Sequence, residues 1–229
     1  RYNNKKDFSF LLNIILFGLI SLILLSQPDF GMFILFVCVW ILQVLNSNLE
    51  KKIIFPILGL FFLTFILSYL FIDHVRFRID NFLFPNIGDN YQISKSLESF
   101  ANGGLFGQGI GNGTVSKNLP DAHSDFIYAL IGEELGFITA FSILIFYIII
   151  YIRIYIVSKI TKNLFILNSL TGLGNILIFQ TIINISSSLN LLPTKGMTLP
   201  FTSYGGSSII SSSLVVGFIL TLIKNAKNQ

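Results

Sequence analysis

The stretch LPDAHSDFIYALIGEELGF, residues 119–137, places charged side chains at the head of a long apolar run. These side chains are Asp121, His123, Asp125, Glu133 and Glu134. If residues 125–152 form one helix, the two glutamates lie roughly 12–13 Å along it from Asp125. Ionisable groups at such a depth in a membrane are rare, and they usually face a bundle interior or a watered cavity. The stretch therefore predicts the polar mouth of a cavity between membrane helices.

The composition of the whole chain supports a membrane location. Of its 229 residues, 53% are hydrophobic and 11% are charged, and the mean hydropathy is +0.76. Soluble domains carry about 25% charged residues, so the composition excludes a water-soluble globular domain. We expect an integral membrane protein.

Apolar segments long enough to cross a bilayer recur along the chain, and a crossing helix needs about 20 such residues. The candidate spans are residues 8–26, 30–46, 53–72, 125–152, 163–185 and 205–223. We therefore predict an all-α, polytopic transmembrane helical bundle that forms a single membrane domain over residues 1–229.

The distribution of Lys and Arg predicts how this bundle is oriented, because these residues mark cytoplasmic loops. One set of connections and the two ends hold Arg1, Lys5, Lys6, Lys51, Lys52, Arg153, Lys159, Lys162, Lys224 and Lys227. The alternate set holds Arg76, Arg78, Lys95, Lys117 and Lys195, spread over longer segments. We expect both ends in the cytoplasm, which places residues 73–124 and 186–204 on the outer face.

The first of these outer segments contains GDNYQISKSLESFANGGLFGQGIGNG, residues 88–113. Ile93, Leu97 and Phe100 share one helical face, which favours a short helix lying along the membrane surface. Glycines then crowd residues 103–113 and permit tight turns, although a merely flexible loop remains an alternative. The spacings typical of dinucleotide-binding and P-loop sites are absent, so a nucleotide site is not predicted.

The second outer segment contains LLPTKGMTLPFTSYGGSS, residues 191–208. Pro193, Gly196 and Pro200 interrupt any continuous helix there. Irregular backbone at membrane depth is tolerated only against protein or a watered cavity. Small residues then begin the last span. Their alternative to lining the cavity is a purely structural role, because small residues permit close helix packing.

Asp125 is the main candidate for chemistry at this face. A helix N-terminus stabilises an aspartate as its anion, which suits a base or a ligand. The alternative is a structural one, in which Ser124 or Asp125 caps the following helix. No His/Cys array of the zinc type occurs, whereas a divalent cation, Mg²⁺ or Mn²⁺, held by Asp121, Asp125 and a phosphate stays open.

Other candidates for substrate binding or for lining the cavity surround Asp125 in the sequence. The cationic ones are Arg76, Arg78, Lys117 and Lys195, which can hold a pyrophosphate; interfacial anchoring is the alternative for the two arginines. The polar and acidic ones are Asp121, His123, Glu133, Glu134, Gln92 and Ser203. From the residues alone, an enzyme and a transporter for a lipid-linked anionic substrate fit equally well.

Four segments resemble, in family order, signatures of the SEDS family, which includes FtsW, RodA and SpoVE. They are SQPDFGMFILF (residues 26–36), the two loop segments quoted above (residues 88–113 and 191–208) and the acidic stretch (residues 119–137). The LPTKGMTLP wording is more similar to the cell-division members than to the elongation members. Members of the family have ten spans, and the six seen here resemble the fifth to tenth. On this resemblance we expect the chain to be a C-terminal portion that lacks the first four spans.

The resemblance implies a peptidoglycan glycosyltransferase of septal wall synthesis that polymerises lipid II outside the bacterial cytoplasmic membrane. It implies that Asp125 is the essential carboxylate, acting as general base, with undecaprenyl pyrophosphate as leaving group. Implied partners are a class B penicillin-binding transpeptidase, divisome proteins and the membrane, with no nucleic acid. The alternatives are a lipid II flippase and the RodA-type elongation polymerase.

Overall fold

The computed structural model describes residues 2–27, 29–46, 51–84, 91–193 and 196–227. Within these ranges the chain forms helices and no strand, so the predicted all-α class is confirmed. The helices are α1 (Tyr2–Ser26), α2 (Phe30–Asn46), α3 (Lys51–Phe71), α4 (Asp73–Leu83), α5 (Tyr91–Gly103), α6 (Ile127–Glu134), α7 (Gly136–Ile160), α8 (Leu164–Ser188) and α9 (Gly206–Lys227), with a 3₁₀ turn over Ser116–Asn118.

Among the described residues, three helices are long and apolar enough to cross a membrane, namely α7, α8 and α9. Shorter apolar stretches at Leu12–Ser26, Gly31–Asn46 and Phe62–Phe71 lie in α1, α2 and α3, where the first three spans are predicted. We call the end of the bundle that carries residues 104–126 and 196–205 the loop end.

Helix α8 is the centre of the bundle and packs against α2, α7 and α9. Its residue Leu170 is fully buried in a cluster with Ile154 of α7 and Ile219 of α9. On another face, Ile183 packs with Leu35 of α2. Because α8 is enclosed on several sides, side chains at its loop-end terminus are fixed by the packing of the whole bundle.

The predicted span over residues 125–152 is wrong, because two helices replace it. Helix α6 ends at Glu134, and α7 begins at Gly136, which has a φ of +83°. This left-handed conformation interrupts the helix and favours glycine. The membrane-spanning helix is therefore α7, and Glu133 and Glu134 lie on the short α6 at the loop end rather than inside a span.

The glycine-rich segment fills the break between α6 and α7. The N–H groups of Phe137 and Ile138, which open α7, donate to the carbonyls of Gly104 and Leu105 at 2.9 and 3.3 Å. Helix N-termini leave such donors unpaired, so the loop caps α7. A Cβ on Gly136 would lie 2.4 Å from the Leu105 carbonyl oxygen, which explains the need for glycine at this position.

The described part of residues 73–124 contains two α-helices rather than the one predicted, since α4 was not expected. Helix α5 packs Phe100 of the predicted apolar face against two core clusters, while Ile93 is only half-buried. Its buried residues are Ser96, Ser99 and Gly103, while Leu97 is 40% exposed. Small residues allow α5 to approach its neighbours closely, as when the Ser96 hydroxyl donates to the Ser188 carbonyl at 2.7 Å.

Replacing Gly136 by alanine is expected to destabilise the protein strongly. A side chain at positive φ costs about 1–2 kcal/mol, and the added Cβ also collides with the backbone of residues 105–107. The matched control is Gly217→Ala in α9, where an added Cβ meets nothing within 4 Å. We expect a lower midpoint of thermal unfolding in detergent for Gly136→Ala only; equal midpoints for the two variants would contradict the capped break.

Candidate functional site

Residues 121–126 form a tight turn between the 3₁₀ turn and α6. Asp121 has a φ of +53°, and its carbonyl oxygen accepts from the N–H groups of Ser124, Asp125 and Phe126 at 3.1, 3.0 and 3.3 Å. Asp121 and His123 are exposed on this turn, whereas Asp125 is half-buried. The turn therefore points the Asp125 carboxylate into the loop end instead of along a helix.

The alternative in which Ser124 or Asp125 caps α6 is wrong. Helix α6 has Phe126 as its N-cap residue, and this residue makes no side-chain capping hydrogen bond. The Asp121 carbonyl accepts from the N–H groups of residues 124–126, which precede the first turn of α6. The Asp125 carboxylate is thereby left available for other contacts.

Gly196 of the second loop segment lies directly against the Asp125 carboxylate. Its φ is +65°, and a Cβ added to it would lie 3.1 Å from Asp125 Oδ2. A glycine here serves two physical needs, a left-handed backbone and close approach to a charged side chain. The sequence predicted Gly196 as a helix breaker, but it gave no sign of this contact.

Asn184, near the end of α8, joins the two loop segments. Its side-chain amide nitrogen donates to the Asp125 carbonyl at 2.9 Å and to the Met197 carbonyl at 2.6 Å. The residue is 1% exposed, so both hydrogen bonds are shielded from water. This contact fixes Asp125 and the segment around Gly196 relative to the central helix.

Further bonds fasten the second loop segment to the 121–126 turn. The buried Ser203 hydroxyl donates to the Ser124 carbonyl at 2.5 Å and accepts from the Leu199 N–H at 2.8 Å. The Tyr204 N–H donates to the His123 carbonyl at 2.9 Å. Ser203, a predicted site residue, thus holds the backbone of the 121–126 turn at the residue before Asp125.

The environment of Asp125 changes its acidity. Burial, followed by the negative charge of Asp121, raises the pKa of Asp125 above its ordinary value. A hydrogen bond from Ser124 and the positive charge of Arg78 act in the opposite direction. A carboxylate with a raised pKa is a stronger base than an exposed one, which suits proton abstraction near neutral pH.

Of the predicted cationic residues that the structure describes, Arg78 is the one within electrostatic reach of Asp125. Helix α4 positions it, because Val75 is fully buried against α2 and anchors that helix. Arg76 points elsewhere and pairs with Asp80 at 3.6 Å. Lys117 is exposed in the 3₁₀ turn, and Lys195 lies outside the described residues.

Glu133 is fully buried and organises the glycine-rich loop. Its Oε1 accepts from the Asn102 amide and from the N–H groups of Thr114 and Val115 at 2.6, 3.0 and 2.9 Å. Its Oε2 accepts from the Ser116 N–H at 2.7 Å. Burial by itself raises the pKa of Glu133, but the hydrogen bonds from Ser116, Val115 and Asn102 together lower it to about 2.

The remaining predicted residues contribute less to this arrangement. Glu134 is half-buried, and its carbonyl oxygen accepts from the Gly109 N–H at 2.9 Å. Gln92 is half-buried on α5. The residues that the sequence did not identify as site residues are Asn184, Gly196 and Asn102. An asparagine within the apolar run of α8 was a visible signal, but its partners were not.

Within the described ranges, no group of three or more His, Cys, Asp or Glu side chains is placed to hold a metal ion. Asp121 and Asp125 are nevertheless close enough to interact electrostatically. Two carboxylates completed by substrate phosphates are a usual Mg²⁺ environment. The residues present therefore fit a cation shared with a phosphorylated substrate, and they do not fit one held by protein alone.

Comparison with known proteins places the chain in a family. A family model that covers FtsW, RodA and SpoVE, described as a cell cycle protein, matches residues 1–228. The chain belongs to this family.

A relative from Caulobacter vibrioides, described as a probable peptidoglycan glycosyltransferase FtsW, is 36% identical over 203 residues, which is 88% of this chain and 52% of that protein. A chain from a peptidoglycan synthase complex covers 96% of this chain and 63% of its own length, with a TM-score of 0.74 and 23% identity. Thermus thermophilus RodA gives a TM-score of 0.63, covering 96% of this chain and 57% of its own length, at 23% identity. These two likenesses concern the fold.

The chain spans between 52 and 62% of the length of the curated relatives it matches. Those relatives share the description of probable peptidoglycan glycosyltransferase FtsW. The match to the family model spans α7, α8, α9 and both loop segments.

Replacing Glu133 by glutamine is expected to loosen the glycine-rich loop. Glutamine presents an N–H₂ group to donors that now meet a carboxylate, and hydrogen bonds to a charged group contribute about 1.5–3 kcal/mol. We expect faster hydrogen exchange of the Thr114, Val115 and Ser116 amides and a lower midpoint of thermal unfolding. Because the pKa of Glu133 is lowered to about 2 from 4.5, the difference from wild type should persist above pH 4.5 and shrink toward pH 2.

The matched control is Glu134→Gln, the adjacent acidic residue of α6. Glu134 has no side-chain hydrogen bond or ion pair among the described residues. Its variant should therefore keep the exchange rates of the loop amides. Equal effects of the two substitutions would contradict the role assigned to Glu133.

Proposed function

We propose that the protein is a peptidoglycan glycosyltransferase that polymerises lipid II. The observation that carries the proposal is a half-buried Asp125 with a raised pKa, held against Gly196 and near Arg78 at the junction of two family loop segments. Family membership and the descriptions of the curated relatives support it. The proposal concerns the protein in its natural full length.

In this mechanism Asp125 is the general base. Its carboxylate takes the proton from the 4-hydroxyl of the acceptor sugar as that oxygen attacks the anomeric carbon of the donor. The bond from this carbon to the diphosphate oxygen breaks, and undecaprenyl pyrophosphate leaves with the electron pair. One inversion converts the α-linked donor into a β-1,4-linked product, and a diphosphate needs no acid to leave, unlike the leaving group in a hydrolase.

Arg78 is the described cation best placed to offset charge on the diphosphate, and Lys117 and Lys195 remain candidates. Asp121 and Asp125 would hold a divalent cation, Mg²⁺ or Mn²⁺, together with the substrate phosphates. Such a cation would neutralise part of the charge on the leaving group.

The proposed setting is the bacterial cytoplasmic membrane, with both chain ends in the cytoplasm and the loop end outside. The distribution of Lys and Arg supports this orientation. A class B penicillin-binding transpeptidase and other divisome proteins at the septum are the proposed partners. The likeness to the curated FtsW proteins favours a division role over the RodA-type elongation role.

A lipid II flippase is the alternative function, and it needs a polar path that reaches both faces of the membrane. Two polar side chains in the first half of α8 pair with neighbouring helices. The Gln43 amide of α2 lies 3.4 Å from the Thr171 hydroxyl, and the Tyr151 hydroxyl donates to Asn175 at 2.9 Å. These pairings occupy groups that a polar path through this half of α8 would need, which favours the polymerase.

Replacing Asp125 by asparagine is expected to abolish polymerisation while retaining the fold. General base catalysis contributes about 10²–10⁴-fold, and asparagine keeps the shape of the side chain. The assay uses full-length protein reconstituted with its transpeptidase partner and labelled lipid II, with glycan strands resolved by gel. Normal strands from Asp125→Asn would disprove the base assignment, and movement of lipid II between leaflets without any polymer from wild type would favour the flippase.

The pH dependence of polymerisation tests the neighbours of Asp125. The base works as its anion, so activity should fall as the pH drops through the raised pKa of Asp125. Asp121→Asn removes a charge that raises this pKa and should move the acidic limb of the profile to lower pH. Arg78→Gln removes a charge that lowers it and should move the limb to higher pH; shifts in the same direction would contradict the assignment.

A further inference from the structure

An apolar cavity of about 370 Å³ lies between α7, α8 and α9, apart from the residues assigned to the proposed chemistry. Its walls are formed mainly by aliphatic and aromatic side chains and one glycine, and they include Phe146, Ile150, Gly174, Leu177, Ile178 and Val216. We call this space the tail groove. Its volume falls in the range of small-molecule sites, about 300–1,000 Å³.

The lining of the tail groove extends along one helix. On α7 it runs from Ser142 to Ile154, a rise of about 18 Å at 1.5 Å per residue. A lining of this length made mainly of apolar side chains suits an extended hydrocarbon chain.

The polar atoms beside the groove are already occupied. The Tyr147 hydroxyl donates to the Pro200 carbonyl and lies 3.2 Å from the Thr202 hydroxyl. The Tyr151 hydroxyl donates to Asn175 at 2.9 Å. These pairings leave ring faces and aliphatic groups to meet an occupant, so the lining suits a hydrocarbon and offers little to a sugar or phosphate.

The upper end of the groove belongs to the same loop segment that reaches Asp125. Phe201 and Thr202 line it. The next residue, Ser203, accepts a hydrogen bond from the Leu199 N–H and donates one to the Ser124 carbonyl. The lower end, at Ile154 and Gly174, lies in the second half of α7 and near the middle of α8. A chain lying in the groove thus has its head at the loop end and its tail at membrane depth.

We propose that the tail groove binds the polyprenyl chain of the lipid-linked sugar substrate while its diphosphate lies at the loop end. This inference rests on the proposed function for the identity of the lipid. The aromatic walls suit the flat, methyl-branched units of a polyprenyl chain, and a phospholipid acyl chain is the competing occupant. Substrates with a shortened tail should lose the contribution of the groove.

Photocrosslinking tests the occupant directly in full-length protein reconstituted in liposomes. A p-benzoylphenylalanine at position 146 replaces an aromatic ring that already lines the groove, and the same group at position 148 lies outside the lining, about 200° around α7. We expect a radiolabelled polyprenyl-diphosphate-linked sugar to label position 146 and not position 148, with unlabelled polyprenyl diphosphate competing. Adducts only with phospholipid, adducts with a partner helix, or no adduct would overturn the proposal.

A matched pair of tryptophan substitutions tests the functional consequence. Ile150→Trp fills the groove and should raise KM for the long-tailed donor by about tenfold, as overpacking of a tight apolar site does, and leave KM for a short-tailed donor unchanged. Ile149→Trp, outside the lining and about 100° around α7 from position 150, should change neither value. Val216→Phe fills the groove from α9 and replaces Ile150→Trp if the latter lowers the midpoint of thermal unfolding.

The outcomes separate this inference from the proposed function. Normal polymerisation together with no tail-length dependence and no label at position 146 would disprove the groove alone. Labelling at position 146 by the polyprenyl substrate without any polymer from wild type would disprove the polymerase and retain the groove.

Discussion

The arrangement of the loop end depends on one buried side-chain amide. Asn184 uses both hydrogens of its amide nitrogen, one for the Asp125 carbonyl and one for the Met197 carbonyl. Because Asn184 is fixed on α8, and α8 is enclosed by α2, α7 and α9, the contact transmits the position of the bundle to two loop segments. Removing one partner of such a buried bond leaves a polar group without compensation, which costs about 1–3 kcal/mol. The position of the Asp125 carboxylate thus follows from the packing of α8.

A second anchor, Glu133, gives the other loop its shape. Its carboxylate collects backbone N–H groups from residues 114–116, and the glycines at 104 and 107 let the chain fold back over the start of α7. The two anchors have different physical bases: a neutral amide bridges two carbonyls, and a buried anion gathers several donors. Together they hold an irregular backbone without strand pairing. This rigidity suits a site where one carboxylate must face a reacting hydroxyl closely.

Most helices could be predicted from the sequence because apolar segments and the charge between them mark spans clearly. The irregular loops were also foreseen from Pro193, Gly196 and Pro200. What failed was the prediction for residues 125–152, because local pattern does not reveal that Gly136 adopts a positive φ under the Leu105 carbonyl. The burial of Ser96 and Ser99 on α5 was missed for a similar reason. Serine counts as a polar residue in a sequence pattern, and it becomes a core residue only where a neighbouring helix approaches closely.

The residues of the candidate site likewise fall into those that the sequence predicted and those that it did not. Asp125 and Ser203 were predicted from residue type and position, and the structure places them on one junction. Asn184, Gly196 and Asn102 were not, since their importance lies in contacts between segments distant in the sequence, such as the bond from Asn184 to Asp125, which are 59 residues apart. Arg78 was named with Arg76 as an equal, and only the docking of α4 through Val75 separates them. Spacing alone therefore identifies the chemical groups and leaves the supporting framework undetermined.

Hydrogen exchange in an Asn184→Leu variant tests the central claim most directly. Leucine is close in size to asparagine. It removes both hydrogen bonds of the side-chain amide and preserves the packing of α8. The account predicts that the Leu199 and Tyr204 amides exchange on the order of tenfold faster than in wild type, while amides in the middle of α8 remain protected. Unchanged exchange at Leu199 and Tyr204 would show that the loop end does not depend on this contact, and the account would be contradicted.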